Sequence, residues 1–349
     1  MSGVDFGHRV AIIRGRGMSL RIHRRAVLVS LLFAVATVAV SLVTLATGDF
    51  ELGLDRVIGA LLGRETGIVH LVVMEWRMPR VVAAIVFGAA LAVSGAIFQS
   101  ITRNPLGSPD VMGFSTGAYT GALVAIVFGG GSFVVTATGS LVGGLLTAAL
   151  VYLFAYRRGV QGFRLIIVGI GIGAMLESVN SWLILRSKLE VVRTAAIWGA
   201  GSLGGVRWEQ VLPAIIVVVA LLCFGIAAAR RLSAMELGDD AASALGVNVN
   251  RSRLLLVLLG VSLTALVTAV TGPIVFLALA APQIARRLSR SSGVALLPSA
   301  AIGAFLLAAC DLVGQRLFAP LAIPVGIITV TVGGAYLVWL LVHEIRRTV

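Results

Sequence analysis

The chain has 349 residues, of which 58% are apolar and only 12% charged. Soluble domains carry about 25% charged residues, so a water-soluble enzyme or regulatory domain is excluded, and a mean hydropathy of +1.03 points to a polytopic membrane unit. The net charge of +13 does not argue for nucleic acid, because the basic residues sit in the gaps between apolar runs, where they set membrane orientation.

Residues 1–25 read as a basic cytoplasmic tail, expected to be disordered. The apolar run that follows is about 21 residues long, longer than the ~7–15-residue core of a secretory signal, so it is expected to be a retained first helix. From there to residue 349 the chain reads as one membrane domain. A spanning helix needs about 20 mostly apolar residues. Candidate spans are 26–46, 80–101, 112–129, 133–154, 164–184, 211–229, 254–271, 273–289, 295–313 and 325–343. Turns as short as GGGS at 129–132 and TGP at 271–273 imply antiparallel neighbours. Small residues recur inside the spans, as in GAALAVSGA at 88–96, GSLVGGLLTA at 139–148 and GIGIGA at 169–174. Lipid offers no hydrophobic drive for helices to associate, so small residues act by letting backbones approach closely. The 41 glycines therefore read as packing surface, not as linker.

With the N-terminus inside and ten crossings, 19 of the 28 basic residues fall on the inner side. That bias predicts both termini in the cytoplasm. Trp76, Trp182, Trp198 and Trp208 fall near the outer boundary, as interfacial anchors do. Cys223 and Cys310 lie in separate apolar runs without C-x-x-C spacing, and the four histidines are scattered, so neither a disulfide nor a metal site is expected. The chain has no G-x-x-x-x-G-K-[ST] loop to hold a nucleotide phosphate and no nucleophile–base arrangement. It reads as a transport component, not an enzyme. Glu177 lies inside an apolar run, where an ionisable group is costly and faces a cavity or a partner. Asn180 is three residues on and shares its face. The pair either lines a pathway, or Glu177 is neutral and hydrogen-bonded to Asn180 or a neighbouring helix. Asp311 is expected to pair with Arg316 at the outer vestibule.

The stretch NPLGSPDVMGFSTGA at 104–118 is the sharpest break in this pattern. Pro105 removes a backbone donor and biases Asn104 away from helix, and Pro109 does the same to Ser108. The chain must turn there. Irregular backbone at membrane depth survives only where protein buries it or water lines it.

Four segments in order resemble the FecCD family: RMPR at 77–80, the stretch at 104–118, LGDDAASALGVNV at 237–249, and GPIVFLALAAPQIAR at 272–286 with PVGIIT from Pro324 beyond it. That family comprises membrane permeases of ABC importers for iron–siderophores, haem and vitamin B12. The resemblance implies an all-α fold of about ten transmembrane helices, like the vitamin B12 importer permease, in the cytoplasmic membrane. It implies a second permease subunit (a heterodimer in preference to a homodimer), two cytoplasmic ATPase subunits and an extracytoplasmic substrate-binding protein. The chain itself would bind no cofactor; ATP and magnesium would sit on the partner ATPase.

The same resemblance assigns residues. Asn104 and Leu106, with Gly162 and Phe163 in the next inner turn, would form the cytoplasmic gate, Phe163 as an apolar plug that closes by dewetting. Arg77 and Arg80, three apart on one face, would present planar forks to carboxylates of the binding protein. Arg316 would be a third contact, although Gln315 stands where the family usually has arginine and Ala322 where it often has an acid. Leu237, Gly238, Asp239, Asp240, Ala241, Ala242, Leu245 and Gly246 would form a short helix with a glycine cap, Asp239 and Asp240 favoured by its N-terminal dipole, coupling the ATPases to the membrane domain. The implied function is ATP-driven import of a ferric siderophore by alternating access. Import of vitamin B12 or haem is the alternative within the family, and an ion-coupled secondary transporter using Glu177 is the alternative outside it.

Overall fold

The computed structural model describes residues 10–15, 18–48, 50–156, 162–291, 293 and 295–348. Val10–Gly15 (β1) and Met18–His23 (β2) pair antiparallel, Val10 opposite His23. These two strands make up most of the described part of the basic tail. Arg9, Arg16, Arg157 and Arg158, four of the inner basic residues, lie outside the described residues.

The rest is helical. α1 is Arg24–Ala46, α2 Leu54–Leu61 and α3 Ile68–His70. A π-helical segment, Leu71–Arg77, joins α3 to α4, Met78–Thr102, so that Ile68–Thr102 is one rod of 35 residues. Then come α5 (Phe114–Gly129), α6 (Phe133–Ala155), α7 (Gly162–Arg186), α8 (Leu189–Gly199), α9 (Trp208–Glu236), α10 (Asp239–Ala244), α11 (Val249–Thr271), α12 (Leu277–Ser289), α13 (Leu296–Arg316) and α14 (Val325–Thr348). Among the described residues seven helices are long and apolar enough to cross a membrane, with two shorter apolar helices, Phe114–Gly129 and Val325–Trp339. Each of the ten expected spans corresponds to a helix, but that of 273–289 contains only the 13 residues of α12.

The rod's α4 forms the centre. Its best apolar window is 78% buried within the protein, against 11% for α1 and for α7. Close approach explains how α4 can be surrounded. A methyl group at Gly88 would strike the Gly303 carbonyl of α13, and one at Gly95 the Ala278 carbonyl of α12. The α5–α6 hairpin is built the same way, Gly121 lying against the Gly139 carbonyl and Gly143 against that of Gly117. The small-residue runs are packing surfaces, with Gly171 facing open space.

The two short helices place the site. At 1.5 Å per residue, the 16 residues of α5 and the 13 of α12 rise about 24 and 20 Å, short of a ~30 Å hydrocarbon core. Non-helical stretches at 103–113 and 272–276 make up the difference. The first begins beside the start of α7, where Gly162 abuts Thr102. It ends at Gly113, which packs on Gly169 and Gly173, roughly 10 and 16 Å along α7 by the same rise. Polar, proline-broken chain therefore climbs into the bundle, buried by protein as the membrane interior requires.

Candidate functional site

The turn after α4 is held from several sides. Arg103 is the C-cap of α4 in a left-handed conformation, φ 49°. The Asn104 side-chain oxygen accepts the Leu106 N–H at 2.9 Å, a local bond that stabilises the turn once Pro105 has ended the helix. Gln283, buried on α12, donates its amide to the Pro105 carbonyl at 2.7 Å. Gln99 donates to Leu279 O at 3.0 Å and accepts from Arg286 at 3.2 Å. Deeper in, the Asp110 carboxylate accepts Ser115 Oγ at 2.6 Å and Phe276 N–H at 3.3 Å. It thereby ties the first turn of α5 to the non-helical entry of α12. The GPIVFLALAAPQIAR segment thus backs the turn.

The structure brings together most of the expected gate residues. Gly162 meets the Thr102 backbone next to Arg103 and Asn104, while Leu106 and Phe163 both project outward, 45% and 69% exposed. The α10 segment meets the same turn. Asp239 pairs with Arg103 and with Arg253, the latter through bonds of 2.9 and 3.0 Å. Arg253 is buried at the start of α11. α10 ends in a Schellman arrangement, with Gly246 N–H on Ser243 O and Val247 N–H on Ala242 O, and Gly246 has φ 80°, the left-handed conformation glycine supplies cheaply. Ala242 is buried, Asp240 is exposed, and Leu237 and Leu245 stand out at 70% and 65% exposure on either side of the helix.

Glu177 and Asn180 part company. Glu177 is exposed to a cavity of about 420 Å3 that Ser115, Thr116 and Tyr119 of α5, α8 residues and Pro273 also line. Asn180 is buried, and among the described residues its amide atoms have no hydrogen-bond partner. A three-residue step rotates a helical position by about 60°, and here the edge of the buried face falls between the two. The Glu177–Asn180 hydrogen bond considered from the sequence is absent among the described residues.

At the other end Arg77, Arg80 and Arg316 line one cavity of about 300 Å3, with Trp76, Gln315 and the end of α1. They are not equally available. Arg77 donates to the carbonyls of Leu45 and Phe50, both at 2.6 Å. Arg80 grips Asp311 with two bonds, 2.9 and 2.8 Å. The expected Asp311–Arg316 pair is therefore corrected. Asp311 serves Arg80 and accepts from Gln315 at 2.8 Å. Five residues along a helix is a rotation of about 140°, so Arg316 points away from Asp311 whereas Gln315 stacks above it. The Nε and Nη2 of Arg316 are buried and unpartnered among the described residues.

Sequence reasoning missed Gln99, Asp110, Arg253 and Gln283. Each is a polar side chain within or beside an apolar run, the same signal that singled out Glu177.

Comparison with known proteins gives one answer. The sequence pattern of the FecCD transport family matches residues 33–343. The ferric enterobactin transport system permease protein FepG of Escherichia coli (strain K12) is 48% identical over 326 residues, 93% of this chain and 99% of the relative. The Fe(3+)-citrate import system permease protein YfmE of Bacillus subtilis (strain 168) is 35% identical, covering 94% and 98%. A solved structure described as an inward-facing metal-chelate type ABC transporter superposes with a TM-score of 0.79 at 28% identity, covering 91% of this chain and 99% of that one. With its apolar helices, its two broken spans and a match along nearly its whole length, this chain is a multi-pass membrane transport component and belongs to the FecCD transport family.

Proposed function

We propose that the chain is the permease subunit of an ATP-driven importer that moves a ferric siderophore across the cytoplasmic membrane by alternating access. The observation that carries this reading is the meeting, at the one turn after α4, of the α10 segment, the start of α7 and the broken helix α12. A segment with two exposed leucines, Leu237 and Leu245, offers a seat for an ATPase, and the turn at 103–106 lies directly against it through Asp239. Asn104, Leu106, Gly162 and Phe163 act as the inner gate. Arg77, Arg80 and Arg316 face the binding protein from the other end, and the Nε and Nη2 of Arg316 have no hydrogen-bond partner among the described residues. Both termini are cytoplasmic. The partner permease is an unlike subunit, and ATP and magnesium sit on the ATPases, not on this chain. The iron chelates named for the relatives favour a ferric siderophore over vitamin B12.

The test is reconstitution. The complex that co-purifies with this chain is placed in proteoliposomes with a loaded binding protein, and ferric enterobactin uptake is followed. Uptake that requires ATP and stops when the ATPase nucleotide site is disabled is the expected result. Uptake by the chain alone, or uptake that follows an ion gradient without ATP, refutes the proposal.

A further inference from the structure

The geometry points to Arg103 as the residue through which the α10 segment moves the gate turn, with Asp239 as the joint. This inference deepens the reading above and rests on it. One carboxylate serves two guanidinium groups of opposite character. The Arg253 side chain is 4% exposed, and the Arg103 side chain is 46% exposed. A buried charge needs its counterion permanently, because removing one partner strands the other away from water. Asp239 is therefore fixed to the start of α11 through Arg253, and its bond to Arg103 is the labile branch, solvated and readily broken. Arg103 has little slack of its own. It caps α4 in a left-handed conformation and is followed immediately by Asn104 and Pro105. Displacement of α10 toward or away from the bundle thus pulls on the first residue of the turn, while Gln283 on the Pro105 carbonyl holds the opposite side. The turn is loaded between a releasable ionic tether and a buried amide anchor. Glu236 extends the contact, accepting Ser100 Oγ at 2.7 Å in the last turn of α4. Arg103 is a positioning residue, since nothing places it against substrate.

The experiment uses the full complex with Leu106→Cys as a reporter in a Cys223→Ser background, Cys223 being exposed and Cys310 buried. The rate of maleimide labelling is measured with and without ATP, alongside ATP hydrolysis and ferric enterobactin uptake. Coupling between linked sites is typically worth roughly 5–150-fold, so ATP should change the labelling rate by at least ~5-fold with Arg103 present. Arg103→Ala should abolish that change with ATP hydrolysis retained, and Arg103→Lys should restore it. The inference is overturned if ATP shifts labelling equally in Arg103→Ala. It is also overturned if ATP has no effect with Arg103 in place, or if the variant loses hydrolysis in parallel. Labelling needs no substrate, so failed uptake with a normal ATP-dependent shift would indict the transport reading alone.

Discussion

Asp311→Ala isolates the strongest polar contact between α4 and α13. Asp311 is 2% exposed and accepts three hydrogen bonds, two from Arg80 and one from Gln315. In soluble proteins, removing one member of a buried ion pair costs about 3–5 kcal/mol. Between membrane helices, measured interhelical bonds average only about 0.6 kcal/mol, because the separated helices find other partners. The two Arg80 bonds cross between helices and come to about 1.2 kcal/mol, and the Gln315 bond, within α13, adds about 1 kcal/mol. The Arg80 side chain is 20% exposed and can turn into the adjoining cavity, which argues against the upper end of the soluble range. The expected loss is therefore about 2–3 kcal/mol, roughly 30–150-fold in the unfolding equilibrium. The assay is denaturant unfolding of the purified complex for Asp311→Ala, Arg80→Ala and the double variant. If the two side chains act through each other, the double variant should cost little more than either single one. Additive losses would show that they stabilise the fold independently and would refute the pairing argument.

Three further outcomes follow from the same geometry. Gln283→Leu leaves the Pro105 carbonyl without its buried donor, a penalty of about 1–3 kcal/mol. It should therefore raise ATP-independent leak of ferric enterobactin from loaded vesicles, and unchanged tightness would remove Gln283 from the gate. Phe163→Ala should also increase leak if its exposed ring closes the pathway by dewetting; equal leak and equal uptake would show that the ring faces lipid or a partner helix. Gly121→Ala drives a methyl group into the Gly139 carbonyl, and overpacking of this kind costs about 1–3 kcal/mol. It should lower the thermal midpoint of the complex, whereas Gly171→Ala, in open space, should not.

The sequence by itself determined the class, the positions of the spans and the site of the break. These follow from local chemistry: apolar run length, the lost donor of Pro105, and the glycine cap at Gly246. Glu177 stood out as an ionisable residue inside an apolar run, whereas Arg77, Arg80, Asn104 and Asp239 were assigned roles through the family resemblance. Pairing was another matter. Whether Asp311 meets Arg316 or Arg80, whether Glu177 and Asn180 share surroundings, and which carbonyl Gln283 serves depend on how helices hundreds of residues apart cross and rotate. The short helices α2 and α8 escaped notice because each falls below spanning length. The entry of α12 shifted from 273 to Leu277 because the 272–276 stretch is held outside helix, with Gly272 and Phe276 at positive φ and Asp110, 166 residues earlier, accepting the Phe276 N–H. A periodic pattern records which face of a helix avoids water or lipid. Which residue stands opposite is fixed by close backbone crossings such as Gly88 on Gly303, and those exist only once the bundle has assembled.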